Sequence, residues 1–115
     1  MKVERWSIWQ VNLDPVVGSE QGKTRPAMII SQEKLNDILP VVNVLPLTTR
    51  KPGRRIYPNE ALLPQGEANP TSDSLVLCYQ IRTLDKQRFQ KRIGLLVDQQ
   101  IQEEILTALS FQLGL

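Results

Sequence analysis

Histidine is absent from this sequence, and cysteine occurs once. The first absence removes the commonest general acid–base group and the commonest metal ligand. The two together exclude a zinc centre of the usual ligand sets. Any mechanism built on paired histidines is ruled out as well. The acidic residues show no tight cluster with the spacing that a magnesium site needs. A single cysteine makes no intrachain disulfide, which fits a reducing compartment, and Cys78 reads as a small apolar strand residue. No apolar run approaches membrane-spanning length. The charged opening residues 1–5 lack the apolar segment of a secretory signal. The expectation is a cytoplasmic protein with no membrane partner.

The 115 residues read as one domain, long enough to bury about two-thirds of the unfolded surface. A net charge of +2 says little, but its distribution says more. Arg50-Lys51-Pro52-Gly53-Arg54-Arg55 holds four cations and no acid, and Lys86-Gln87-Arg88-Phe89-Gln90-Lys91-Arg92 holds four more. Such clusters are either phosphate-contacting patches or solvated loops.

Short apolar runs bounded by turn residues predict strands over about 6–13, 27–31, 41–49, 56–63, 74–83 and 91–96. In the first, alternation puts Trp6, Ile8 and Gln10 on one face and Ser7, Trp9, Val11 and Leu13 on the other. Trp9 is expected in the core. Residues 32–39 read as a loop or one helical turn. Pro46 predicts an edge or a bulge for the third strand, and Pro58 interrupts the fourth. Residues 64–73 form turns throughout. In 74–83, Leu75, Leu77, Tyr79 and Ile81 share one face, while Gln80 and Arg82 project together from the other. Asp98 caps a helix running to about residue 113, with Gly114 ending it. Many short strands and one terminal helix predict a mainly β fold, a small, strongly bent barrel with the helix packed on it.

One polar stretch, Leu13-Asp14-Pro15-Val16-Val17-Gly18-Ser19-Glu20-Gln21-Gly22-Lys23-Thr24-Arg25-Pro26, separates the first two strands. It gathers a hydroxyl, a carboxylate, an amide, an ammonium and a guanidinium. Gly18 to Thr24 looks like a phosphate loop but is one residue short between its glycines. A strand follows it instead of a helix, so nucleotide binding is rejected.

The same stretch, with Leu13-Asp14-Pro15, Gly18-Ser19-Glu20-Gln21 and Arg25-Pro26 in that spacing, resembles the first signature of the MazF/PemK/Kid family of toxin endoribonucleases. Pro46-Leu47-Thr48-Thr49 is similar to the family's strand-ending segment. Gln80-Ile81-Arg82-Thr83-Leu84-Asp85-Lys86-Gln87-Arg88 looks like its second signature. Lys91-Arg92-Ile93-Gly94 and the terminal Leu113-Gly114-Leu115 complete a pattern covering nearly the whole chain. The resemblance implies an SH3-like barrel of the PemK/CcdB type, usually a homodimer. It implies a type II toxin that cuts single-stranded RNA without metal or other cofactor, leaving 2′,3′-cyclic phosphate and 5′-hydroxyl ends. It also implies a cognate acidic antitoxin, with which the toxin binds DNA as a complex. The family's catalytic arginine and threonine fall on Arg25 and Thr48. Substrate contacts fall on Ser19, Gln80, Glu20 and Arg82. The segment 50–55, with Lys51, Arg54 and Arg55, matches the family's mobile loop over the RNA.

The chemistry suits these residue types. A guanidinium neutralises charge spread over phosphoryl oxygens, and a threonine hydroxyl donates to one of them. Arginine is a poor general base, because it stays protonated in ordinary surroundings. Glu20, or the substrate and water, is left to take the 2′ proton, with Arg25 stabilising charge or protonating the leaving oxygen. The structural alternative for Arg25 is an ion pair with Glu20 or Asp14. Ser19, Thr48 and Gln80 are equally ordinary turn and strand residues. Two departures stand out: Arg5-Trp6-Ser7 replaces the family's Arg-Gly-acid, and Tyr79 replaces the acid before Gln-Ile-Arg. Tyr79 either packs or stacks a base. These departures keep an RNA-binding relic open as an alternative. A non-enzymatic gyrase poison of the same fold is the other, although its characteristic tryptophan near the C-terminus is missing.

Overall fold

The computed structural model describes residues 2–66 and 71–115. Of the turn expected over 64–73, residues 67–70 lie outside the described part.

The elements run β1 (Ser7–Asn12), β2 (Thr24–Ile29), α1 (Glu33–Ile38), β3 (Val41–Thr49), β4 (Glu60–Leu63), β5 (Ser74–Leu77), β6 (Arg82–Asp85), β7 (Phe89–Leu95) and α2 (Gln99–Leu113). The strands form one antiparallel sheet in the order β4-β5-β3-β2-β1-β7, with β6 also paired to β3. The sheet is not closed; β4 and β7 are its two ends. Two register shifts between β1 and β7 bend it, because each inserted residue adds local twist.

Alternation divides the strands between two cores. Ile8, Met28, Leu45 and Leu47 join one cluster, which α2 covers through Ile105 and Ala108. Trp9, Val11, Leu13, Ala27, Ile29, Val42 and Val44 join the other, on the opposite face. The faces expected for the first strand are therefore correct, and Trp9 is buried, edge-on to Phe89 at 5.7 Å. The expected α2 boundaries hold as well. Asp98 Oδ1 accepts from Ile101 N, and Gly114 ends the helix at φ 73°.

Three expectations need correction. β3 is an internal strand, not an edge: it pairs with β2 on one side and with β6 and β5 on the other. Pro46 is tolerated because it falls between Val44, the last partner of β6, and Leu47, the first partner of β5. Its missing donor thus costs no ladder bond. The fourth strand keeps only its second half, Glu60–Leu63. The strand expected over 74–83 is broken by a 3₁₀ turn at Cys78–Gln80. There β3 changes neighbours, and the turn leaves Tyr79 41% exposed instead of packed with Leu75 and Leu77. β2, by contrast, begins earlier than expected, at Thr24.

The departure at Arg5-Trp6-Ser7 has a visible structural footprint. Trp6 adopts φ 72°, a conformation that favours glycine. It is held there by Trp6 N donating to Ile29 O at 2.8 Å and by Leu96 N donating to Trp6 O at 3.0 Å. Ser7, fully buried, accepts from Trp9 Nε1 at 2.9 Å.

Candidate active site

The polar loop is clamped at its neck, where Leu13 N donates to Lys23 O at 2.9 Å. Asp14 braces the same neck, its Oδ1 accepting from Lys23 N at 2.8 Å. A Cβ at Gly22 would meet Asp14 Oδ1 and Val16 Cγ2, both at 2.8 Å, so these side chains would have to shift to admit one. Glu20 folds back on its own turn, its Oε1 accepting from Val17 N at 2.6 Å.

The rest of the chain holds this loop by its main chain. Gln80 donates through Nε2 to Ser19 O and accepts at Oε1 from Gln21 N, both at 3.2 Å. Arg82 Nη1 donates to Leu13 O at 3.0 Å. Arg88 Nη1 donates to Asn12 O at 3.1 Å and also to Asp14 O. Gln80 and Arg82 thus project together as expected, although the strand carrying them is broken. In the sequence Arg88 stood in a basic cluster and closed the second signature, without a role of its own. No local signal marks it, because its partners lie more than seventy residues away, with separations of 76 and 74. Ser19, Glu20, Tyr79, Gln80, Ile81 and Arg82 line an open cleft of about 420 Å³.

Arg25 and Thr48 sit on neighbouring strands. The β2–β3 register pairs Ala27 with Pro46. Pairing between the two strands ends at that pair, so Arg25 and Thr48 each lie two residues beyond it on their own strands. Arg25 Nε donates to Gly22 O at 3.0 Å, which ties the guanidinium to the loop. Among the described residues, its terminal nitrogens have no hydrogen-bond partner and no carboxylate. The ion pairs there are Arg54–Glu60 at 2.8 Å and Arg92–Glu4 at 3.1 Å. The structural alternative for Arg25, a pair with Glu20 or Asp14, is not formed; those carboxylates accept from backbone N–H groups instead.

The basic segment is built differently. Arg54 makes a two-pronged pair with Glu60, both bonds 2.8 Å, and Glu60 also accepts from Tyr57 N at 3.1 Å. Burial alone would raise the Glu60 carboxyl, but the Arg54 and Tyr57 bonds outweigh it and hold it below its ordinary value. The same bond raises the Arg54 guanidinium. Arg50 donates to Arg54 O through Nε and Nη2, at 3.1 and 3.0 Å. Lys51 and Arg55 remain exposed. Glu60 went unnoticed in the sequence. A lone acid opening an apolar run, just after four cations, was the available signal.

Cys78 is fully buried, and burial, with the Glu60 charge, pushes its thiol up to about 11. Its Sγ donates to Ile105 O at 3.8 Å, a packing role. Among the described residues, no group of three or more His, Cys, Asp or Glu could hold a metal ion.

A family model described as PemK-like, MazF-like toxin of type II toxin–antitoxin system matches residues 4–113. The chain belongs to this family. It is 34% identical over 113 residues to endoribonuclease MazF of Staphylococcus saprophyticus subsp. saprophyticus, covering 98% of this chain and 92% of that protein. The crystal structure of MazF from Deinococcus radiodurans matches with a TM-score of 0.81 and 27% identity, covering 97% of this chain and 96% of that one. An endoribonuclease from Mycobacterial species, solved in complex with its cognate antitoxin, matches with a TM-score of 0.76 and 25% identity, covering 97% and 95%. The chain is therefore a MazF-like toxin and a homologue of an endoribonuclease. The expected mainly β, barrel-like fold with a C-terminal helix is borne out by the coordinates and by these likenesses.

Proposed function

We propose that this MazF-like toxin is a metal-independent endoribonuclease that cuts single-stranded RNA at short sequences. The observation that carries the reading is Arg25. It is tied to the loop by one nitrogen, lies on the strand beside that of Thr48, and among the described residues has no carboxylate on its terminal nitrogens.

The ribose 2′-oxygen attacks the adjacent phosphorus, the bond to the 5′-oxygen breaks, and a 2′,3′-cyclic phosphate and a 5′-hydroxyl result. Arg25 presents its two terminal nitrogens to the non-bridging oxygens, where negative charge builds. Thr48 donates its hydroxyl to one of those oxygens. Glu20 keeps Oε2 available for the 2′ proton while Oε1 holds its own turn. The proton reaching the 5′-oxygen comes from Arg25 or from water. Ser19 and Gln80 border the cleft that receives the strand. Gln80 works mainly by fixing the loop backbone, and Arg82 with it. Lys51 and Arg55 attract the phosphate backbone, and Arg54 supports that segment through Glu60.

The toxin acts in the cytoplasm as a homodimer, restrained by an acidic antitoxin that folds over this basic groove and binds DNA together with it. Exposed apolar side chains at the end of α2, Leu113 and Leu115, and the exposed Val97 support a second copy. Among the described residues, no helix is long and apolar enough to cross a membrane.

The test is incubation of the protein with a long single-stranded RNA in EDTA, beside Arg25→Ala. Cleavage by the wild type alone, leaving cyclic phosphate and 5′-hydroxyl ends, is expected. Wild-type protein that leaves the RNA intact with and without metal would overturn the reading and return the RNA-binding relic.

A further inference from the structure

The chain has two residues each of tryptophan, tyrosine and phenylalanine. Both tyrosines and one phenylalanine line a single open cleft of about 670 Å³, beside the one bordered by Gln80. Tyr57, Tyr79 and Phe111 are 50%, 41% and 64% exposed, whereas Trp9 and Phe89 are buried against each other. Half the aromatic rings are therefore held on the surface around one hollow, at a cost in exposed apolar area that a ligand would recover.

The walls of the cleft are braced. Arg54, locked on Glu60, lies 5.8 Å from the Tyr57 ring centroid, and Arg55 lies 5.4 Å from it. Both phenols lie close enough to Arg54 to raise its guanidinium further. Asn59 Nδ2 donates to Gln112 Oε1 at 3.1 Å, joining the approach to β4 to the end of α2. Tyr79 borders both this cleft and the one formed by Ser19, Glu20, Gln80 and Arg82. The 3₁₀ turn at Cys78–Gln80 turns its ring outward.

We infer that Tyr79, with Tyr57 and Phe111, forms a stacking subsite for a nucleobase flanking the scissile bond. The occupant is a base of the same single strand that crosses the loop cleft, so the inference rests on the RNA-cleavage reading. Three observations favour a base over an apolar protein segment. Tyr79 lines both this cleft and the Gln80 cleft. The rim of the aromatic cleft carries Arg55, exposed and without an acidic partner among the described residues, to meet a phosphate. The cleft combines exposed aromatic rings, one of them, Tyr57, beside two arginines, a setting that suits stacked bases of a single strand. Tyr79 is accordingly a specificity-determining residue. Where the family signature has an acid, this chain presents a ring.

The test pairs binding with end mapping on wild type, Tyr79→Leu and Tyr79→Phe. Fluorescence anisotropy with short labelled oligoribonucleotides measures affinity, with an abasic site walked along the strand. Loss of one stacked base should weaken binding by roughly 5- to 150-fold in Tyr79→Leu. Tyr79→Phe, which keeps the ring, should retain most of the affinity. One abasic position should weaken wild-type binding and leave Tyr79→Leu unaffected. Mapped cleavage ends should lose their preference at that same position. Equal affinity of the leucine variant and wild type, or equal losses in leucine and phenylalanine variants, would overturn the subsite. So would a leucine variant that changes only its oligomeric state in sedimentation, which would assign the cleft to a protein interface. Wild-type protein that binds RNA through Tyr79 without cutting it would sink the nuclease reading and leave the subsite standing. Wild-type protein that binds no RNA would end both.

Discussion

Two arginine-bearing segments of this toxin have opposite construction. Around Arg25 the carboxylates of the same stretch, Asp14 and Glu20, are engaged by backbone N–H groups, and among the described residues the guanidinium terminus has no acid. Around Arg54 the nearest carboxylate, Glu60, is buried and takes both prongs of the guanidinium. The loop of Arg25 is held by main-chain contacts from Gln80, Arg82 and Arg88, while the segment of Arg54 is held by the arginine itself. Whether a cation supports the fold or faces a ligand is thus set by what occupies the nearest acid. A buried carboxylate with an empty lone pair must take a cation, because an unpaired buried charge is strongly unfavourable. A carboxylate already capping a turn need not.

The largest expected effect tests this contrast directly. Arg25→Ala should lower kcat by about 10²- to 10³-fold or more, the range for losing a preorganised charge-stabilising donor. Its thermal midpoint should stay close to that of the wild type, since no ion pair is lost. An Arg25→Ala variant with a markedly lower midpoint and near-normal kcat would break the comparison.

Next comes Arg88→Ala, which removes the donor to Asn12 O and Asp14 O. Because displacing a catalytic loop by about 1 Å can cost up to ~100-fold, a fall in kcat of about 10-fold or more is expected. KM should change less. Faster amide exchange confined to residues 13–23 would identify the cause as loop displacement. A change in KM alone would instead make Arg88 a substrate contact.

Arg54→Ala should show the reverse of Arg25→Ala, with the midpoint falling and activity per folded molecule at low temperature falling far less. Differential scanning calorimetry beside a cleavage assay separates the two quantities. Equal stability of Arg54→Ala and wild type would mean that the Glu60 pair supports nothing.

The smallest effect is one of pH. The folded Glu60 carboxyl lies below its ordinary value of 4.5, so the unfolded chain takes up that proton first on acidification. Stability from this pair is fully present above the ordinary value and is lost as pH falls through the folded one. The thermal midpoint should therefore drop below about pH 4.5 in wild type, with a shallower drop in Glu60→Gln.

Much of the fold was legible in sequence because its signals are local. The α2 caps at Asp98 and Gly114, the alternating faces of β1 and the limits of β3 follow from residues within a turn or a strand of one another. The misreadings came from changes of partner. Apolar alternation continues through residues 74–83, since both halves pack on β3. Nothing local shows that β3 exchanges β6 for β5 there and that the chain must turn at Cys78–Gln80. Pro46 was misplaced for the same reason. Arg25 and Thr48 were named from spaced motifs; Arg88 closed one of those motifs without a role, and Glu60 carried no such mark.

By itself the sequence determined the kinds of chemistry open to this protein. With no histidine and one cysteine, paired-histidine mechanisms and a zinc centre of the usual ligand sets are closed to it. It also determined the family, through motifs whose spacing survives along the chain. The tertiary structure alone decided which cations have an acid and which do not. It alone turned Tyr79 outward beside Tyr57 and Phe111. Ion pairing and stacking depend on distances between residues far apart in the chain, and those distances exist only once the sheet has bent and its strands have chosen their neighbours.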